Sequence, residues 1–330
     1  MIRLIAAFAF ACALSACEGG HHIGATDQWE AIDVEVLPVA APVETIGRLA
    51  YRGGLELRSR DPMFVGLSGL EVLEDGRVVA ISDEADWIDA RLVFGDRDFL
   101  TGFTDVRGAF MRDERGRTLS TKAEADSEGL AQLPDGRFAV SFERSQLIRI
   151  YDLNRDGPFG VAEMGPRLAG VARLPTNQGL EALAAMDNAL LIGAEGGDEA
   201  TTPLWVAPLD AHALVPARFA YPLSDGFSLT GLDRLPNGDF IALERFFAPV
   251  IGPRARITRF VAPGDEGAVV EKEVLATLDP PFPVDNFEGV SAVRTRDGAT
   301  RIYIVSDNNK SAQQRTLLLA FDVIETPAAD

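Results

Sequence analysis

Thiols and imidazoles are nearly absent: the chain has 2 Cys and 3 His among 330 residues. That leaves little material for a disulfide framework, a Cys/His zinc site or a Cys nucleophile. Positive charge is also scarce. Lys and Arg number 31 against 50 Asp and Glu, the formal charge is −19, and no Lys/Arg run exceeds two residues. A chain of this balance is not built to follow a nucleic-acid backbone. Long segments of helical periodicity are missing as well. What is present is a 47% hydrophobic, 25% charged chain, enough to bury one large core or two ordinary ones. With so many acids, hard-cation chemistry through oxygen ligands stays open.

The longest uninterrupted apolar run, Leu4 to Leu14 behind Arg3, falls short of the roughly 20 residues that span a bilayer. A basic start, an apolar middle and a small-residue exit describe a secretory signal peptide. The exit, Leu14-Ser15-Ala16-Cys17, resembles the lipobox of bacterial lipoproteins. That resemblance implies that residues 1–16 are removed and that Cys17 becomes the lipidated first residue. With Arg3 lost, the charge becomes one unit more negative than −19. Glu18 stands where an Asp would retain a lipoprotein at the inner membrane, so the expected address is the periplasmic face of a Gram-negative outer membrane. Residues 17–45, carrying Gly19-Gly20, His21-His22, Pro38 and Pro42, read as a tether. Residues 46–325 read as the folded domain and 326–330 as a tail.

One pattern recurs five times: SGLEVLEDGRVVAISDE from Ser68, SEGLAQLPDGRFAVSFER from Ser127, QGLEALAAMDNALLIGAEG from Gln178, TGLDRLPNGDFIALER from Thr230 and FEGVSAVRTRDGATRIYIVSDNN from Phe287. Its glycines, Gly69, Gly129, Gly179, Gly231 and Gly289, are 60, 50, 52 and 58 residues apart. After each comes a short apolar strand, then a turn (Asp75-Gly76, Asp135-Gly136, Asn237-Gly238 or Asp297-Gly298), then a β-rich strand. The turn dipeptides suit tight hairpins with positive φ at both residues. Further strand-like runs lie between the copies. Four short strands per unit describe propeller blades. The expected fold is therefore all-β: a β-propeller with five motif-bearing blades, five or six blades in total, and inner-strand hairpins around a central channel. Thr316 to Val323 is expected to share the last blade with Ile46 to Leu57, hiding both sheet edges.

A residue just before the first strand of a hairpin and one just after the second lie at the same end. Acids recur at both places: Glu128 and Glu288 on entry, with Glu71, Glu181 and Asp233 two residues after their glycines, and Asp83-Glu84, Glu143, Glu195, Glu244 and Asp307 on exit. Two carboxylates about 5 Å apart repel by about 3 kcal/mol at an effective dielectric of about 20. Such a ring protonates, pairs with Arg144 and Arg245, or binds a cation. Asn308 and Asn309 add neutral oxygens.

The words FVGLSGLE, DSEGLA, NQGLEALA, LTGLDRLPNGDFIALERFF and NFEGV…IYIVSDNN, spread over about Phe64 to Asn309, resemble the phytase-like domain family, whose bacterial members are labelled esterase-like activity of phytase. The resemblance implies a β-propeller of the cell envelope. The β-propeller phytases it points to are six-bladed calcium enzymes that cleave phosphomonoesters. Their signature Asp-Asp-Pro-Ala-x-Trp is not found here; Asp83-Glu84-Ala85-Asp86-Trp87 is a loose echo. Glu128-Gly129 and Glu288-Gly289 are similar to the Glu-Gly of calcium-dependent lactonase propellers, where the Glu is a metal ligand; the His dyad of some of those enzymes has no counterpart.

The expected activity is calcium-dependent hydrolysis of phosphate or carboxylic esters. Ca2+ would be held by Glu128, Glu288 and some of Glu143, Glu181, Glu195 and Asp307. Glu244 or Asp83 would be the general base. Arg144 and Arg245 would hold the anionic group of the substrate, with Asn308 and Asn309 contributing contacts. The partner is then a small anionic ester, bound by a monomer that touches the membrane through its lipid only and binds no nucleic acid. The alternative is a non-catalytic propeller lipoprotein using the same mouth to bind a ligand or partner. Two further motifs stand beside the ring of acids. Asp152, Asn154, Asp156 and Glu163 match the spacing of a calcium loop, although the segment before them reads as a strand. Phe246 and Phe247 beside Arg245 fit either an aromatic wall over a ligand or inter-blade packing. Serine-hydrolase chemistry finds no nucleophile elbow, and His212 sits in a polar connection.

Overall fold

The computed structural model describes residues 28–175, 177–196 and 200–325. The expected signal peptide, Cys17, His21, His22 and the expected tail after residue 325 lie outside them. Each repeat forms an antiparallel meander. Blade 1 is Leu67–Val72, Arg77–Ser82, Asp86–Phe94 and Leu100–Phe110; blade 2 is Ser127–Gln132, Phe138–Phe142, Leu147–Tyr151 and Glu163–Met164. Blade 3 is Leu180–Ala185, Ala189–Ala194, Thr201–Pro208 and Phe219–Pro222, and blade 4 is Ser228–Arg234, Phe240–Ala248, Gly252–Phe260 and Lys272–Leu278. Blade 5 takes Asn286–Arg294, Thr300–Asp307 and Thr316–Val323 from the end of the chain and Leu49–Arg58 from its beginning. The first strands of blades 1 to 5 touch in a closed cycle. The propeller has five blades, and no sixth unit stands among the described residues.

Closure follows the expected route: Thr316 pairs with Leu57 and Val323 with Leu49. The N-terminal segment contributes more than a tether, which corrects the expected boundary at residue 45. Glu35–Pro38 pairs with residues 55–58 of blade 5, and Glu30–Ala31 pairs with Arg107 and Gly108 of blade 1. Among the described residues no helix is long and apolar enough to cross a membrane.

Cohesion comes from five apolar layers, one between each pair of adjacent blades. Between blades 1 and 2, Trp87 is fully buried and meets Tyr151 edge-on with ring centroids 5.2 Å apart. Each large side chain buried there contributes about 1.5–3 kcal/mol. Part of each layer belongs to a neighbouring blade, so a single blade does not complete a core of its own.

The hairpin turns differ from the expected two-residue type. Gly76, Gly136, Gly238 and Gly298 have positive φ, but the preceding Asp or Asn does not. Leu73 N–H donates to the Arg77 carbonyl and Gly76 N–H to that of Leu73, and the other three turns repeat this pattern. These are three-residue turns with glycine in the left-handed position.

Candidate active site at the channel mouth

The strand pairings show how the sequence builds a ring. In blade 1 Leu67 pairs with Ser82 and Gly69 with Ile81, so Ser68 is an extra, bulged residue. The same irregularity falls on Glu128, Glu181, Thr230 and Glu288. A β-bulge re-aims its side chain, and all five bulged residues line the central cavity. Below them Leu70, Leu130, Leu183, Leu232 and Val290 narrow the channel, leaving about 10 Å³, room for about one water. The channel is therefore plugged, and ligands reach the acids from one side.

The pairings also correct the alignment of the third repeat. The residue following the bulge is Gly69, Gly129, Gly231 or Gly289, but Ala182 in blade 3; Gly179 lies outside the register. Glycine is required where blades meet closely: a Cβ on Gly231 would stand 2.7 Å from the Glu288 carbonyl oxygen, and one on Gly129 2.8 Å from that of Glu181.

A second ring lies at the exits of the second strands. Asp83, Glu143 and Glu195 donate backbone N–H bonds to the carbonyls of Gly66, Asp126 and Gly179, while Arg245 and Asp307 pair with Ser228 and Asn286. These equivalent positions read Asp, Glu, Glu, Arg, Asp. Arg245 thus replaces the acid that the other four blades carry. It donates to Glu195 Oε1 at 2.8 Å and Asn286 Oδ1 at 2.7 Å and lies 3.8 Å from Glu288. On the opposite side, Asp126 is buried between Arg144, at 2.7 Å, and Lys122, which also reaches Asp83.

Eight carboxyl groups, Asp83, Asp126, Glu128, Glu143, Glu181, Glu195, Glu288 and Asp307, therefore face three cations, Lys122, Arg144 and Arg245. The excess shows in their acidity. Burial, then the neighbouring Glu181 and Glu288, push the Glu128 carboxyl well above its usual range, and burial with Glu195 and Glu288 does the same to Glu181. Burial, opposed in part by an N–H from Gly179 and reinforced by Asp126, lifts Glu143 to about 7. Glu288 reaches about 8 through burial and Asp307, and Asp307 about 7, mainly through burial. Without a cation, the mouth holds protons. Asp126, Glu128 and Glu143 each place one oxygen within 4.8 Å of the others'. A donor set of oxygens alone suits a hard cation, whose binding would release those protons.

The expected residues divide into those brought to the mouth and those that are not. Glu128, Glu143, Glu181, Glu195, Glu288, Asp307, Asp83, Arg144 and Arg245 are there. Glu244 is not. One residue before Arg245 on the strand, it points to the opposite face and is fully buried, receiving a 2.6 Å hydrogen bond from Tyr221, a bond from Lys272 and an Arg256 contact at 3.5 Å. That packing leaves it no access to a substrate, which corrects its expected role as base. Asn308 and Asn309 shape a turn: Asn308 Oδ1 accepts from Lys310 N–H at 3.1 Å, and Asn309 N–H donates to Asp307 at 2.6 Å. The acids with calcium-loop spacing gather around a cation of the chain itself, Arg155, which lies 3.7 Å from Asp152, 2.7 Å from Asp156 and 4.0 Å from Glu163. Asp152 caps a single helical turn at Arg155 N–H, Asn154 donates to the Gly136 carbonyl, Asp156 pairs with Arg155 and Glu163 with Arg137. Phe246 packs at 5.4 Å from Phe227, just before the first strand of its own blade, whereas Phe247 is 67% exposed. His212 is exposed. Sequence reasoning missed Asp126, Lys122 and Asn286. Asp126 and Asn286 stand two residues before Glu128 and Glu288, a shared spacing that marked them; Lys122 carried no such mark.

The family model described as phytase-like, esterase-like activity of phytase, matches residues 62–310. No curated protein matches the chain. Among solved structures, the catalytic domain of the Coprinopsis cinerea GH62 α-L-arabinofuranosidase shares 10% identity, covering 84% of this chain and 98% of that one with a TM-score of 0.52. At that identity the likeness is one of fold. A gluconolactonase from Xanthomonas campestris shares 13% identity over 91% of this chain and 99% of its own, with a TM-score of 0.41. The β-propeller domain of Cps50 (Swd1) from Myceliophteria thermophila shares 10% identity over 87% and 99%, with a TM-score of 0.39.

Proposed function

The chain belongs to the phytase-like family, esterase-like activity of phytase, and on that premise we propose that it hydrolyses phosphate or carboxylic esters with calcium held at the channel mouth. The observation that carries this reading is the imbalance of eight carboxyl groups against three cations, with Asp126, Glu128 and Glu143 converging to within 4.8 Å. Those three residues would hold the ion, with Glu181 and Glu288 on its channel side. When bound, calcium would polarise the ester and acidify an adjacent water.

The chain's own groups supply the rest. Arg245, fixed by Glu195 and Asn286, presents a guanidinium to the anionic part of the substrate, and Arg144 does so from the opposite side. Asp307 uses one carboxylate oxygen on the Asn309 N–H and has the other for a proton. Asp83 pairs with Lys122 and is the second carboxylate in reach. With Glu244 turned away, these two are the candidate bases. The apolar plug below the bulge ring confines the reaction to the open side.

An address at the periplasmic face of an outer membrane is proposed with it, supported by the lipobox-like words Leu14-Ser15-Ala16-Cys17; a monomer is proposed as well. The test is a panel of phosphomonoesters, phosphodiesters and short acyl esters, assayed with calcium or with a chelator on protein lacking residues 1–25. Turnover that chelation abolishes and that Glu288→Gln removes without unfolding is expected. Undiminished turnover in chelator, or none on any ester, overturns the proposal.

A further inference from the structure

We infer that the site takes esters carrying a sizeable apolar group, and that this group occupies a pocket beside the mouth at the seam of blades 2 and 3; the inference rests on the hydrolytic reading. The turn that follows Glu143 runs through Arg144, Ser145 and Gln146 into the third strand of blade 2. Arg144 faces both ways: its Nε bonds Asp126 at the mouth, and it lines a cavity of about 400 Å³ on the outer side. That volume lies within the range of small-molecule sites. Its wall is mixed: Ile148, Met164, Leu168 and Leu214 give it an apolar side, and Arg144 and Arg167 a charged one.

One feature marks the cavity as more than a crevice. Met164 and Leu214, on its rim, are 48% and 56% exposed, so apolar surface is left open to water where one further apolar group would cover both. Backbone pairing of residues 167–169 with Val215 ties the two walls together, so the pocket exists before a ligand arrives. The substrate class that fits is an ester of an alkyl or aryl acid or alcohol about the size of an octyl chain.

The test measures binding of octylphosphonate and of methylphosphonate by calorimetry, with calcium present, alongside turnover of acetyl and octanoyl esters. Each methylene that leaves water favours binding by about fourfold when fully buried, so partial burial of the chain predicts at least about tenfold tighter binding of the octyl compound. Met164→Asp with Leu214→Asp, both at rim positions, should erase that preference, while Val250→Asp with Ile251→Asp on the blade 4 hairpin should keep it. Equal binding of the two phosphonates, binding of neither, or a preference lost only with the blade 4 pair overturns the inference. A preserved chain preference with no ester turned over sinks the hydrolytic reading and leaves the pocket standing.

Discussion

Glu71 and Asp233 form a second carboxyl pair, away from the mouth, and Asp233 offers a direct test of how the inner ring is held. Its Oδ2 accepts the Ala292 N–H of blade 5 at 2.6 Å and its Oδ1 the Arg234 N–H at 2.6 Å. Ser291, one residue before Ala292, reaches Glu71 of blade 1 at 3.5 Å. Burial pushes Asp233 from 3.8 up to about 7, and Glu71, buried and facing Asp233, lies well above its usual range. Asp233 therefore keeps its proton in the folded chain at a pH where the unfolded chain has released it. Its stabilising contribution is complete below about 3.8 and is lost as the pH climbs through about 7. Three units at about 1.4 kcal/mol each put the swing at about 4 kcal/mol. Asp233→Asn cannot ionise, but its amide accepts one of the two N–H bonds instead of both, which costs about 1–3 kcal/mol. The stability curves of the two proteins should cross. The variant is the weaker at pH 4 and the stronger at pH 8, a difference of several degrees in Tm. Thermal unfolding at a series of pH values in chelator measures this, since the mouth carboxyls contribute alike to both proteins. Parallel curves would refute the argument.

Glu128→Gln has no proton to hold against its ordinary acidity, so at pH 8 without cation it should be more stable than the parent, and it should lose the rise in Tm that calcium gives the parent, read by thermal shift. Arg245→Met acts in the opposite sense: leaving Glu195 and Glu288 without their cation should cost about 3 kcal/mol in denaturant unfolding, and added calcium should recover part of it. Gly129→Ala should destabilise by about 2 kcal/mol, because the new methyl would stand 2.8 Å from the Glu181 carbonyl. Removing residues 1–58 uncovers the fully buried strand Thr316–Val323; size-exclusion chromatography should then show aggregates in place of a monomer.

Much of the fold was legible because the repeats are written in local chemistry. Turn glycines, alternating apolar strands and their spacing recur at every blade, and the closing pair of strands was visible as two unmatched β-rich segments at the ends. Most mouth residues were legible for the same reason, since hairpin geometry alone places entry and exit residues together. Glu244 escaped because adjacent residues on a strand face opposite ways, and spacing alone does not say which of Glu244 and Arg245 looks inward. Spacing also does not show that the side-chain oxygens of Asn308 and Asp152 are engaged by backbone N–H groups of their own turns.

The amino-acid sequence by itself determined the blade count of the motif, the antiparallel hairpins and the gathering of acids at one end, all of which follow from contacts between residues close along the chain. Tertiary structure alone decided which residue bulges into the channel, that Ala182 rather than Gly179 completes the ring, and that Asp126 joins Glu128 and Glu143. Those outcomes depend on how tightly neighbouring blades approach, a distance set by packing across fifty or more residues, and no local pattern encodes it.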